Sequence, residues 1–265
     1  MTLHAPSYAG GFASPERGLI DRSLWDGVVG AWCPSLGATG LTVRDHSGRG
    51  NHGTVTGMTA AEAWADPAGM TFDGTDDSLL LGKLYNPPTM TVSLWFRGTD
   101  ATLHDNLIGD TPGYFGIRQS TLGKVNTHIY DGANKTASGT SDTLDGLWHH
   151  AVATWNGTTA RIYVDGIQEG SVAAGAMPAA GATVEVEVAG SGAGAKAMDA
   201  DDVQLRDRAV TANEVATLYR LGPGGMYRRQ QFNVKAAAAA GRINSLIGVG
   251  GGMIGQGGGM IGRGY

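Results

Sequence analysis

Cysteine is nearly absent from this chain. Cys33 stands alone among 265 residues, so no intrachain disulfide can staple the fold. Charge is scarce as well: Asp, Glu, Lys and Arg together make up 16% of the residues, below the usual share for a globular domain. No apolar run is long enough to span a bilayer, so membrane insertion is not expected. The start, Met1-Thr2-Leu3-His4-Ala5-Pro6, lacks the basic and apolar regions of a secretory signal. The chain is therefore expected to be made and folded in a cytoplasm. Also missing are a zinc-ligand spacing, a phosphate-cradling loop and a Ser-His-Asp arrangement, which removes the commonest signatures of catalysis.

Glycine is what the chain has in excess, 44 of 265 residues. From Trp25 to about Val210 it punctuates short runs of alternating apolar residues, the pattern of an all-β sandwich or barrel. The clearest run is Leu147 to Val172. Ala151, Ala153 and Trp155 alternate with Val152 and Thr154 up to Asn156-Gly157. Both residues of that pair tolerate positive φ, which predicts a two-residue type I′ turn. The return strand carries Ile162 and Val164 against Arg161 and Tyr163 and ends on Asp165-Gly166, a second hairpin signal. Further strands are predicted at Val28–Cys33, Thr54–Gly57, Ser78–Leu81, Thr91–Arg97, Tyr114–Gln119, Val125–Tyr130, Thr183–Ala189 and Asp202–Asp207. One helix follows: Thr211 and Glu214 form a capping box, Val215, Leu218 and Tyr219 share a face, and Gly222 suits the C-cap.

The texture then changes. Residues 222–265 hold five basic residues and no acid, leaving a net of −10 on residues 1–221 out of the chain's −5. An alanine run, Lys235 to Ala240, gives way to Leu246-Ile247-Gly248, Met253-Ile254-Gly255 and Met260-Ile261-Gly262, recurring every seven residues. Such glycine-rich sequence builds no core alone, because ordering glycine costs the most backbone entropy. Three parts result: an arm over 1–24, a β-domain over 25–221, and a basic Ala/Gly-rich tail over 222–265. The tail's charge is too dilute for a nucleic-acid footprint. Its Arg228, Arg229, Ile247, Met253, Ile254, Met260 and Ile261 are the expected anchors to a partner.

Several segments, in order, carry a family resemblance. Asp45-His-Ser-Gly-Arg-Gly-Asn-His-Gly53 resembles the D-x-S-G-x-x-N-x-G loop of laminin-G-like, concanavalin A-like jelly rolls. Phe72-Asp-Gly-Thr-Asp-Asp77 and Thr91-Val-Ser-Leu-Trp95 are similar to two of that family's strand motifs. Trp148 to Gly166 resembles its hairpin pair, and Asp201 to Ala209 with Thr211–Tyr219 its closing strand and terminal helix. The resemblance implies an antiparallel jelly-roll sandwich with one short C-terminal helix and a glycine-rich extended tail. A looser likeness, through Gly27-Val-Val-Gly-Ala-Trp32 and Met226-Tyr-Arg-Arg229, is to structural proteins of bacteriophages.

The family resemblance also implies a structural Ca²⁺, with Asp45, Asn51 and Asp202 as side-chain ligands. Asp45 and Asn51 equally suit Asx-type turn hydrogen bonds. Glu185 and Glu187 share one strand face, as the acids of concanavalin A-like glucanases do, but Thr183-Val-Glu-Val-Glu-Val188 alternates cleanly, so the acids equally read as a solvated face. His149 and His150 point to opposite faces and cannot share an ion. Asp105 and Asp110 are read as loop residues. Trp64, Tyr85, Tyr114 and Tyr130 are the aromatics available to stack on a sugar. The expected function is a non-enzymatic virion surface protein, capsid decoration or tail-associated. Its expected partners are other virion proteins or copies of itself, as a homo-oligomer in the assembly. The alternative is a fibre component that binds a host-surface glycan or receptor, with a glycoside hydrolase a further one.

Overall fold

The computed structural model describes residues 22–37, 39–83, 88–101, 105–111, 113–177, 185–190 and 196–227. The chain divides into two units, Met1–Gly225 and Met226–Tyr265. The N-terminal arm up to residue 21, Tyr85, and the anchor residues Arg228, Arg229, Ile247, Met253, Ile254, Met260 and Ile261 lie outside the described residues.

Fifteen strands make up the described part of the first unit. They are β1 (Val28–Trp32), β2 (Thr42–Val43), β3 (Gly53–Thr56), β4 (Met70–Asp73), β5 (Ser78–Lys83), β6 (Met90–Arg97), β7 (Asp105–Thr111), β8 (Phe115–Gln119), β9 (Val125–Tyr130), β10 (Asn134–Ser138), β11 (His149–Trp155), β12 (Thr159–Val164), β13 (Ile167–Ala173), β14 (Glu185–Val188) and β15 (Ala197–Arg206). Two short helices, α1 (Ala60–Ala63) and α2 (Ala212–Leu221), accompany them. One sheet runs β1-β15-β6-β11-β12-β13, with β4 beside β15. The other runs β10-β9-β8-β7-β14-β5-β3-β2. Every strand pair is antiparallel. The expected jelly-roll sandwich is what the chain forms.

Alternation explains the layering. Leu94, Phe96, Ala151, Ile162 and Val164 of the first sheet meet Ile108, Ile117, Ile129, Val186 and Val188 of the second in one buried cluster. The outer face of the first sheet is also apolar, and α2 covers it: Val152 and Tyr163 pack with Val210 and Val215. Trp95 stacks 5.0 Å from His150 and 5.6 Å from Tyr219. Helix α2 begins at the predicted capping box, Thr211 with Glu214, and its C-cap Gly222 takes φ +72. Arg208 completes this corner by donating to both Glu214 oxygens, and with the cap it draws that carboxyl down to about 2.

The two hairpin signals fared differently. Asp165 (φ +50) and Gly166 (φ +84) form the I′ turn between β12 and β13. At the other, only Gly157 is left-handed. Asn156 Oδ1 instead collects the N–H groups of Thr158 and Thr159, lengthening the loop. Asp105 and Asp110 are not loop residues: both belong to β7, whose partners β8 and β14 supply the ladder that its turn-type residues disguise.

The sandwich closes on itself. β1 pairs with β15 so that Val28 faces Arg206 and Trp32 faces Val203. Arg206 donates to Leu24 O, Arg208 to Asp26 O, and Asp207 N–H to Gly27 O, fastening the entering and leaving segments together.

Candidate functional site

Three features singled out in the sequence resolve into structure-holding networks. Asp45, 4% exposed, has both oxygens filled: Oδ1 accepts from the N–H of Ala31 (3.0 Å) and Ser47 (2.8 Å), Oδ2 from Ser47 Oγ (2.7 Å) and Asn51 N–H (2.8 Å). Burial works to raise its pKa, but those hydrogen bonds outweigh it and hold the carboxyl below its ordinary value. Asn51 donates its amide to Val29 O and receives Trp32 Nε1 on its carbonyl. Asp202 on β15 accepts from Gln204 Nε2 and Gly224 N–H. The polarity around Asp45 is opposite to what Ca²⁺ needs: N–H and O–H groups occupy the lone pairs a cation would claim, so this donor set does not fit the ion. The Asx alternative describes what Asp45 does. Among the described residues, the carboxylates that converge are Asp73, Asp76 and Asp77, in a turn where Asp73 and Asp77 cap backbone N–H groups.

His149 and His150 do face apart. His149 holds Asp165 Oδ2 through Nδ1 (2.8 Å) and Asp145 Oδ1 through Nε2 (3.0 Å). Burial opposes its charge, yet the two carboxylates prevail and raise its pKa. His150 joins the Trp95 and Tyr219 rings, its Nδ1 buried without a partner, and burial pushes it down to about 3.

A further set of polar and aromatic side chains lies on the outer face of the eight-stranded sheet. With Ile108, Ile117, Ile129, Val186 and Val188 in the core, alternation turns Gly109, Gly116, Arg118, Asn126, His128, Tyr130, Glu185 and Glu187 outward. Register lines five of the face's residues up across five strands: Glu187 faces Gly109, Gly109 faces Gly116, Gly116 faces His128, and His128 faces Thr136. Gly109 and Gly116 at the centre of that row have no side chain of their own and are buried: Asn106 Oδ1 lies 3.5 Å from where a Gly109 Cβ would be, and the Arg118 guanidinium reaches back to within 4.0 Å of the same position at Gly113. Gly116 must stay bare, because a Cβ there would sit 2.8 Å from Ile108 O.

On one side of these glycines, Tyr114 and Tyr130 stack with centroids 5.8 Å apart and planes 19° apart, both partly exposed. Tyr130 N–H donates to Tyr114 O, which fixes the pair to the sheet. On the other side stands Arg118, whose Nε donates to Asn106 Oδ1 at 2.9 Å. His128 Nε2 lies 3.0 Å from Gly113 O and pins the β7–β8 loop; burial first, and Arg118 second, lower its pKa. Asp110 accepts from Phe115 N–H with Oδ1, while Oδ2 is buried and unpartnered. Burial raises the Asp110 pKa, against the hydrogen bonds it accepts.

Two of the four candidate aromatics, Tyr114 and Tyr130, therefore come together. Trp64 sits apart, its Nε1 bound to Gly40 O. Glu185 and Glu187 lie on the same face, partly exposed, on the inner strand β14 between β7 and β5, as the solvated-face reading expects. The sequence reading passed over Asn106, Gly109, Gly116, Arg118 and His128. The signal was present in Phe115-Gly-Ile-Arg-Gln119, where Gly116 and Arg118 alternate with core residues.

A laminin-G-like family model, described as the concanavalin A-like lectin/glucanases superfamily, matches residues 73–216, more than half of the chain. The chain belongs to this superfamily. No curated protein matches it. Among solved structures, the receptor-binding domain of the botulinum neurotoxin C/D mosaic serotype is similar, at TM-score 0.58 and 12% identity over 74% of this chain and 51% of that one. The binding domain of botulinum neurotoxin DC in complex with SialylT matches at 0.56 and 11%, over 74% and 52%. The binding domain of Paraclostridial Mosquitocidal Protein 1 matches at 0.52 and 16%, over 74% and 52%. At such identities the likeness shows the fold alone, and the chain spans about half the length of these structures. These neighbours are binding domains.

Proposed function

We propose that this superfamily member is a non-enzymatic glycan-binding module, which holds a saccharide on the outer face of its eight-stranded sheet. The observation that carries this reading is the stacked, partly exposed Tyr114–Tyr130 pair, with the half-buried Arg118 reaching back to within 4.0 Å of the Cβ position of Gly113 beside it. Aromatic faces stack on the apolar C–H face of a sugar ring. The similarity of the fold to a neurotoxin binding domain solved with SialylT is consistent with such a role. Against hydrolysis, Glu185 and Glu187 stand together on the inner strand β14, and among the described residues the row from Glu187 through Gly109 and Gly116 ends on His128, not on an acid.

Tyr130→Ala is expected to weaken binding on a glycan array and in titration calorimetry by at least about tenfold, since aromatic anchors dominate such sites. The fold should persist, because the Tyr130 side chain lies outside the core cluster. Binding unchanged by Tyr130→Ala, with tyrosine lost from the face, overturns the reading.

The sequence beyond residue 227 favours a second, compatible role: display of the sandwich on an assembly such as a virion surface. Apolar Met-Ile pairs spaced by glycine provide anchors, and the basic tail complements the acidic body of a neighbouring copy. A chain ending at Tyr227, which keeps the buried Met226 and Tyr227, is expected to keep its melting temperature and to lose self-association in sedimentation velocity. Self-association that survives the truncation contradicts the anchoring role.

A further inference from the structure

The Arg118 guanidinium is short of negative charge. Its Nε is committed to Asn106, which orients the planar group, and none of its nitrogens forms an ion pair with a described carboxylate. Among the described residues, the arginines that do pair with a carboxylate, Arg97 with Asp66 and Asp199 and Arg208 with Asp26 and Glu214, each face two acids. Arg118 is half-buried, and burial lowers its pKa despite Asp110, the one acid whose charge acts on it. That acid is itself pushed toward its neutral form by burial, and it is occupied with capping the β7–β8 turn. His128, on the neighbouring strand, is held toward its neutral form as well. Glu185 and Glu187 lie beyond Thr111 and Gly109 on the opposite flank, and neither offsets the guanidinium charge. A partly desolvated guanidinium with its outer N–H edge unspent is a receptor for a planar, two-oxygen anion, which it binds by paired charge-assisted hydrogen bonds.

We propose that Arg118 makes the Tyr114–Tyr130 platform selective for acidic saccharides, binding the carboxylate of a uronic or sialic acid unit while the two tyrosines carry the ring. This rests on the glycan-binding reading and names its ligand class. The body of the domain is acidic overall, so the selectivity is local: one fork-shaped cation set into a neutral pocket edge, and no diffuse basic patch. Lysine cannot replace it, because a single ammonium lacks the second parallel donor.

The test compares matched probes by titration calorimetry: sialyllactose against lactose, and a glucuronic acid-terminated oligosaccharide against its glucose-terminated counterpart. In the full chain, at least one acidic probe is expected to bind about tenfold or more tightly than its neutral partner, the size of one bidentate charged contact. Arg118→Lys and Arg118→Gln should collapse that ratio toward one, with thermal melts confirming the fold. Tyr130→Ala should weaken both members of each pair equally. Equal affinity for acidic and neutral probes in the full chain, or a ratio that persists in Arg118→Gln, overturns the proposal while glycan binding itself stands. If no probe binds, both fall.

Discussion

Replacing Asp45 with alanine is expected to destabilise the sandwich by about 3–5 kcal/mol, because it strands several buried donors at once. The N–H groups of Ala31, Ser47 and Asn51 all end on this one carboxylate. Two of them tie the loop of residues 45–51 to itself, and the third ties it to β1, where Trp32 is wholly buried. Water replaces such bonds poorly in a site this enclosed. A domain of this size should then melt on the order of 10 °C lower by calorimetry. Asp45→Asn should fall between the two, since its amide keeps one acceptor and turns the other into a donor facing Asn51 N–H. Saturating EDTA is expected to leave the parent's melting temperature unchanged, as the hydrogen-bonded carboxylate requires. A drop of several degrees in EDTA, restored by Ca²⁺, shows instead that a cation holds this loop.

The second large effect is in acid. His150→Phe is expected to make the protein roughly 2 kcal/mol more stable than the parent at pH 5, and about equally stable at pH 7.5. The sign follows from the shift. With a folded pKa of about 3 against 6.5 unfolded, His150 stays neutral in the fold while the unfolded chain takes up a proton below pH 6.5. Stability is therefore whole above 6.5 and falls steadily toward pH 3. Phenylalanine keeps the ring beside Trp95 and Tyr219, loses no Nδ1 hydrogen bond, and does not titrate. His149 acts with the opposite sign. Its pKa is raised by Asp165 and Asp145, so its contribution is complete below 6.5 and disappears as pH climbs through the folded value. Two neighbours in sequence thus bound a stability optimum near pH 6.5 from either side, with His46 and His128, both lowered by burial, adding to the acid arm. Urea melts across pH 4.5–8.5 read both slopes. A parent curve that is flat between pH 4.5 and 6.5 contradicts the buried, neutral His150.

Most of the fold was legible in the sequence because local signals agreed. The Asp165-Gly166 turn, the Thr211–Glu214 cap and the alternation of β11 and β12 each needed no distant partner to be read. β7 was missed for the converse reason. Asp105-Asn-Leu-Ile-Gly-Asp110 is written in turn residues and becomes a strand only between β8 and β14. Asn156-Gly157 misled because the Asn156 side chain competes for the very N–H groups that a two-residue turn leaves alone. In the candidate site, Tyr114 and Tyr130 could be named as aromatics but not as a pair. Arg118 gave no sign of its importance, since lacking a counter-charge is a property of the assembled face and of no residue in particular.

The pairing of β1 with β15 has a mechanical consequence. β1 opens the sheet beside the end of its last strand, Val28 next to Arg206. Tension that reaches that end meets the rungs of the β1–β15 ladder one after another, as in a zipper, and never all together in shear. Before it does, it must peel α2 from the sheet and open the clasp of Arg206 on Leu24, Arg208 on Asp26 and Asp207 on Gly27, all outside the ladder itself.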